Sequence, residues 1–247
     1  MTSSSMGHGR YIDPLEEILR RSAPQDDSCH SESHPAPQDD SCHSESNPCH
    51  SESNPCHSER SEESPVFTVK AGEKLTLEYV VLPGESRDID VAVDLTGPGA
   101  ELSLKALYLC KADEKVNFRI LVHHRAPGCR STQLVKGVAG GSSHVTFNGT
   151  IVVAPDAQKT EAFQENHNIL FTETANVETK PQLEIYADDV KCSHGTTVGR
   201  LNEDELFYMR SRGIPKTEAE TLQILSFLSP VIPQGRQEEI ENAIRSL

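Results

Sequence analysis

From Val66 to about Leu201 apolar and polar residues alternate with period two, as in "KLTLEYVVL" (74–82), "DIDVAVDL" (88–95), "ELSLKALYL" (101–109), "VNFRILVHH" (116–124), "STQLVKGVA" (131–139) and "HVTFNGTIVV" (144–153). A strand sends successive side chains to opposite faces, so each segment reads as a strand with one buried side. "GPGA" (97–100), "APGC" (126–129), "AGG" (139–141) and "APDA" (154–157) punctuate the intervals with turn residues. Short strands at near-even spacing fit a sandwich, a barrel or a β-helix. The small-residue corners and apolar ladders of "GVAGGSSHVTFNGTIVV" (137–153) favour stacked rungs, so the pattern predicts a mainly β solenoid over 66–200.

Beyond Leu201 the period becomes helical. Asn202 with Glu205 predicts a capping box for "EDELFYMRSR", with Gly213 just past the end and Pro215 enforcing the stop. Thr217 with Glu220 predicts the same device for "EAETLQILSFL". In "QEEIENAIRSL", Ile240, Ala243, Ile244 and Leu247 share one face of a third helix. Residues 201–247 thus read as a small helical segment on a β body.

The first 65 residues have a different character. Residues 1–21 hold one amphipathic stretch, "DPLEEILRRSA", with Leu15, Ile18 and Leu19 at helical spacing and Asp13 before Pro14. Residues 22–65 form a repeat: "PQDDSCHSES" at 24–33 and again at 37–46, then "NPCHSES" and "NPCHSER". This repeat carries ten acids against one Arg and no Val, Ile, Leu, Met or aromatic residue, a composition that predicts disorder. Its four Cys-His pairs, beginning at Cys29, Cys42, Cys49 and Cys56, lack the paired C-x2–4-C knuckles of structural zinc sites, so the repeat reads as a tandem duplication inserted in a loop.

The formal net charge of −15 over 247 residues argues against nucleic acid or an anionic membrane as the partner. No apolar run approaches the roughly 18–20 residues that span a bilayer, and the N-terminus has no basic-then-apolar signal pattern, so the chain reads as cytoplasmic. Outside the repeat, the odd trio Cys110, Cys129 and Cys192 points to free thiols or ligands rather than a disulfide framework.

Candidate chemistry concentrates in "YADDVKCSHGTTVGRL" (186–201). Cys192 and His194 admit three readings: metal ligands, a thiolate–imidazole pair, or ordinary interior residues. If the segment is a strand, both project to the same face. Asp188 and Asp189 read as turn groups. Cys110 and Cys129 read as interior or turn-lining, the adjacent His123 and His124 face opposite ways, and His167 reads as part of a polar ladder.

The stretches "TEAFQENHNILF" (160–171) and "PQLEIYADDVKCSHGTTVGRLNEDELFYMRSRGI" (181–214) resemble the SufB/SufD family, the scaffold subunits of the SUF iron–sulfur assembly system, most nearly its SufD branch. The resemblance covers roughly 66–247 and implies a right-handed parallel β-helix followed by a helical segment. It further implies a non-catalytic scaffold that pairs with a SufB-like subunit and docks a SufC-like ATPase, with a homodimer also open. Leu206, Phe207, Tyr208, Arg210 and Arg212 would then meet the ATPase. By the same resemblance, His194 is a cluster-assembly residue and metal ligand shared with the partner, with Cys192 beside it. An iron–sulfur cluster would be held there transiently, not as a resident cofactor. SufB-like proteins generally carry a glutamate after the corresponding histidine; Gly195 stands there in this chain, which suits the SufD role. In the family a helical domain and further rungs precede the matching region, and here only "DPLEEILRR" and the repeat stand before it, as in a shortened member.

Two other readings compete. A β-helical carbohydrate-active enzyme predicts clustered carboxylates on one rung face, and a metal-buffering protein predicts binding confined to the Cys-His repeats. The sequence has no G-x-x-x-x-G-K-[ST] phosphate loop, so ATPase activity would belong to a partner.

Overall fold

The structure is a computed structural model that describes residues 10–11 and 66–247. The short helix expected after Asp13 and the Cys-His repeat lie outside the described residues. The strands are β1 (Arg10–Tyr11), β2 (Val66–Val69), β3 (Lys74–Val81), β4 (Arg87–Leu95), β5 (Glu101–Cys110), β6 (Lys115–His124), β7 (Arg130–Ala139), β8 (His144–Val153), β9 (Glu161–Leu170), β10 (Asn176–Ile185) and β11 (Lys191–Gly199). Odd-numbered strands form one parallel sheet in the order β1-β3-β5-β7-β9-β11, and even-numbered strands form the other in the order β10-β8-β6-β4-β2. The chain therefore alternates between two facing sheets, and each pair of strands makes one turn of a parallel β-solenoid.

Turn geometry keeps the rungs in step. Gly72, Gly99 and Gly128 stack at one corner with φ of +67°, +69° and +68°, and Lys159 continues the column at +61°. Their backbone N–H groups donate upward to Pro98 O, Pro127 O, Gln158 O and Asp189 O. This left-handed conformation is free for glycine and strained for lysine. Asp189 is accordingly a turn residue, as expected; its own N–H donates to the Gln158 side-chain oxygen at 2.9 Å.

Period-two alternation fills the space between the sheets with Leu77, Val93, Leu104, Phe118, Val135 and Phe147, each nearly or fully buried. Burying one such side chain stabilises the fold by about 1.5–3 kcal/mol. From Ala106 to Cys110, β5 is buried on both faces, because the helices cover the outside of its sheet there.

The helical segment comprises α1 (Glu203–Ser211), α2 (Lys216–Leu228), a 3-10 turn (Ser229–Val231) and α3 (Gln237–Arg245). Asn202 caps α1 through its side-chain oxygen, which accepts from the N–H groups of Asp204 and Glu205, but the expected capping box is incomplete: Glu205 accepts from Asn202 Nδ2 at 3.2 Å, while the Asn202 backbone N–H donates to Gln223 Oε1. Gly213 follows with φ +88°. The second capping box does not form. Pro215, with φ −58°, starts α2 before Thr217, which lies inside the first turn and accepts from the Thr221 hydroxyl through its backbone carbonyl. Pro215 occupies the N-cap position with ψ 149°, and its carbonyl accepts from the Ala219 N–H at 3.0 Å, so the helix begins there without a side-chain cap. Ile224, Leu228, Ile240 and Ile244 pack against Leu107, Leu109, Val138 and Ile169 on the outer face of the odd-numbered sheet. Lys136 ties the layers together: its ammonium donates to Phe227 O at 3.0 Å and lies 4.6 Å from the centre of that ring. Among the described residues no helix is long and apolar enough to cross a membrane.

Candidate functional site

The last rung exposes the solenoid's interior. Among the described residues β11 pairs only with β9 and β10 only with β8, so each presents an unpaired backbone edge at the same end. In a middle rung the inward side chains are covered above and below; here one side is open. Ile185, Tyr186 and Val198 remain 41%, 61% and 46% exposed, uncovered apolar surface around this end.

β11 lies on β9 in register, with Cys192 over Ala162, His194 over Gln164 and Thr196 over Asn166. Ala162, Gln164 and Asn166 are the buried, inward residues of β9, so Cys192, His194 and Thr196 continue that inward column. The strand condition stated for Cys192 and His194 is met, and both project to the same side. Cys192 packs in an apolar cluster with Ile151, Val153, Ala162 and Ala187 and is half-buried, whereas His194 is exposed. Burial raises the Cys192 thiol above its ordinary value, opposed by a hydrogen bond to the Ala162 backbone. Of the two side chains, the imidazole is the more accessible donor in the free chain, and the thiol needs a neighbouring cation to become thiolate.

Polar side chains run through the interior towards this end. The Tyr108 hydroxyl donates to Asn168 Oδ1 at 2.7 Å, and Asn168 Nδ2 donates to Asn166 Oδ1 at 2.6 Å and to Thr197 O at 3.1 Å. Gln164 Nε2 donates to Gln133 Oε1 at 3.0 Å. Sequence reasoning did not single out these amides; the signal was available as polar residues at alternate positions of "AFQENHN".

The remaining candidates are separate from this end. His123 faces outward onto the Asp94 carboxylate at 3.1 Å, while His124 is fully buried and 2.9 Å from the Ser131 hydroxyl, so the two histidines do face opposite ways. Cys110 and Cys129 are buried free thiols. His167 lies 2.9 Å from the Thr197 hydroxyl and 3.3 Å from the Glu165 carboxylate, in an outward polar ladder. Among the described residues no three His, Cys, Asp or Glu side chains gather as a metal site, so Cys192 and His194 would need ligands from another molecule.

On α1, Leu206 is buried, while Phe207 and Tyr208 are 73% and 59% exposed. Arg210 and Arg212 are exposed, and the Arg212 guanidinium lies 5.0 Å from the Tyr208 ring centre. Beside them runs a groove of about 670 Å³ lined by Ile169, Leu201, Tyr208, Met209, Leu222 and Phe227.

Residues 66–227 match the family described as SUF system FeS cluster assembly, SufBD core domain. The chain is 38% identical over 155 residues to the iron–sulfur cluster assembly protein SufD of Escherichia coli, covering 63% of this chain and 37% of that protein. It is 32% identical over 171 residues to an iron–sulfur cluster assembly SufBD family protein of Mycobacterium leprae, covering 64% of this chain and 44% of that one. With SufD of Bacillus subtilis it shares 32% over 154 residues, 62% of this chain and 35% of the other. The chain spans less than half the length of each of these relatives.

Proposed function

The chain belongs to the SufBD core family of the SUF iron–sulfur cluster assembly system, and on that premise we propose that it is a SufD-like scaffold subunit. In this reading the open end of the solenoid pairs with a SufB-like subunit, and the nascent cluster assembles between the two chains with His194 as this chain's principal ligand. The observation that carries the reading is the coincidence of three features at one end: unpaired edges on β10 and β11, exposed apolar surface, and Cys192 with His194 projecting to one side. Imidazole replaces thiolate on iron in Rieske centres, so a histidine contribution is chemically sound. Two ligands leave a cluster incomplete, which fits a site shared between chains. The exposed aromatic and arginine side chains of α1, beside the groove, fit the docking of a SufC-like ATPase, because aromatic and Arg side chains are enriched in interface cores.

The test is co-expression of this chain with SufB-like and SufC-like subunits, followed by purification and anaerobic cluster reconstitution. The intact complex should form. His194→Ala should preserve the complex and lower cluster yield about tenfold or more, since losing even a group that only orients a metal ligand typically costs that much. Phe207→Ala with Tyr208→Ala should release the ATPase subunit alone. Full cluster yield from the His194→Ala complex would refute the site, and an undiminished ternary complex from the double variant would refute the docking face.

A further inference from the structure

Directly beneath His194 the interior holds an amide ladder one rung short of complete. Gln133, Gln164 and His194 are successive in-register positions of β7, β9 and β11. Gln133 and Gln164 are 2% and 1% exposed. Gln164 Nε2 donates downward to Gln133 Oε1, which leaves Gln164 Oε1 buried without a hydrogen-bond partner. The site is shaped for that amide from the opposite sheet: a Cβ added at Gly149 would collide with Gln164 Nε2, so only glycine leaves it room. A buried acceptor left unpaired costs about 1–3 kcal/mol. His194 is the residue stacked on Gln164 in the next rung, at the roughly 4.8 Å spacing of adjacent strands. Its exposed ring makes no bond to Gln164 Oε1 as it stands, and turned inward it would bring a ring N–H to that acceptor.

The geometry points to Gln164 as a positioning residue for His194: its Oε1 accepts from the proton-bearing nitrogen of the imidazole, which fixes one tautomer and leaves the other nitrogen's lone pair facing out of the open end. Histidines that ligate metals are commonly held this way through the second ring nitrogen. A free imidazole exchanges between tautomers and rotamers, and only a fraction then presents a lone pair in the direction a shared cluster would need. Gly149 and Gln133 serve the same arrangement, one by making space for the amide and the other by holding its nitrogen end. This assignment rests on the scaffold reading only for its purpose; the proposed hydrogen bond involves no other chain.

The experiment is nitrogen-15 NMR of the histidine-labelled full chain, reading the ring nitrogens of His194 assigned by their loss in His194→Ala. Wild type should show one dominant tautomer. Gln164→Leu, which keeps an apolar filler of comparable bulk in the interior, should shift the ring towards a mixture, and Gly149→Ala should do the same by displacing the amide. Gly149→Ala carries the test if Gln164→Leu does not fold. An unchanged tautomer in either folded variant overturns the assignment. In the reconstituted complex Gln164→Leu should lower the rate of cluster assembly about tenfold. A wild-type rate in the His194→Ala complex would instead overturn the scaffold site, a separate failure that the tautomer data would expose as such.

Discussion

Replacing His124 should flatten the acid limb of the stability curve. The side chain is fully buried at the end of β6, 2.9 Å from the Ser131 hydroxyl through Nε2, with Nδ1 unpartnered. Burial, reinforced by neighbouring His123, pushes its pKa down from the usual 6.5 to about 4. The unfolded chain therefore binds a proton that the folded chain refuses between those two values, and stability must rise with pH across that window. The contribution is fully present above the unfolded value, declines as pH falls below about 6.5, and is exhausted near pH 4. At about 1.36 kcal/mol for each pKa unit, the whole effect is about 3 kcal/mol, of which about 2 kcal/mol disappears between pH 7 and pH 5.

Urea unfolding at a series of pH values measures it directly, comparing wild type with His124→Gln, which keeps a polar partner for Ser131 and cannot titrate. The variant should lose stability near neutral pH, since its fit is poorer, yet its unfolding free energy should fall about 2 kcal/mol less than wild type on going from pH 7 to pH 5. Equal m-values in the two proteins make the difference a stability change rather than a change in the surface exposed. Parallel pH curves would refute the reasoning, because they would mean His124 gains its proton without unfolding.

Glu114 should act as a corner lock. Its carboxylate accepts from the N–H groups of Gly84, Lys111 and Ala112, and although burial opposes the charge, the bonds from Ala112, Glu114, Gly84 and Lys111 hold the carboxyl below its ordinary value. Glu114→Gln should cost about 1–3 kcal/mol at neutral pH, since one amide would turn N–H groups towards donors, and the wild-type advantage should fade as acid protonates the carboxylate; an unshifted urea midpoint would count against this. Gly137→Ala should cost about 1–3 kcal/mol by overpacking. Its Cβ would collide with the Tyr108 ring, which is buried and held by Asn168, so the ring has nowhere to go; an unchanged melting temperature would show that it does.

The strands from β3 to β8 were legible because their inward positions are apolar and their corners carry glycine and proline. β9 and β10 were less so, for a physical reason: Gln164, Asn166 and Asn168 occupy inward positions of β9, and Pro181 interrupts β10, an edge strand where its missing N–H is tolerated. Register was not legible at all. One turn takes 27 residues from Lys74 to Glu101 but 31 from Arg130 to Glu161, because corner loops absorb insertions while the ladder stays continuous. The candidate pair Cys192 and His194 was found through its motif, and the period-two argument placed both on one side. That this side is the open end of the stack depends on β11 being the last strand, a tertiary fact. Thr217 with Glu220 three residues on reads as the start of α2, and Pro215 reads only as the stop of α1; the helix instead follows directly on Pro215 as its N-cap.

A solenoid ordinarily needs a capping element at each end, because a terminal rung offers both unsatisfied backbone groups and half of an apolar interior. Among the described residues α2 and α3 cover the outer face of the odd-numbered sheet, and no strand pairs with the outer edge of β10 or β11. On the scaffold reading this edge has a consequence for mechanism. A partner that adds strands to this edge satisfies the backbone groups, covers Ile185 and Val198, and removes water from around His194 in the same step. Desolvation then strengthens the attraction between the imidazole, the neighbouring thiol and an incoming metal ion, since charges interact more strongly away from water. Burial disfavours the Cys192 thiolate, and a cation brought beside it would favour ionisation. On that reading docking and ligand formation would be one event, and a cluster held this way would be released by loosening the interface without any change in its ligands' chemistry.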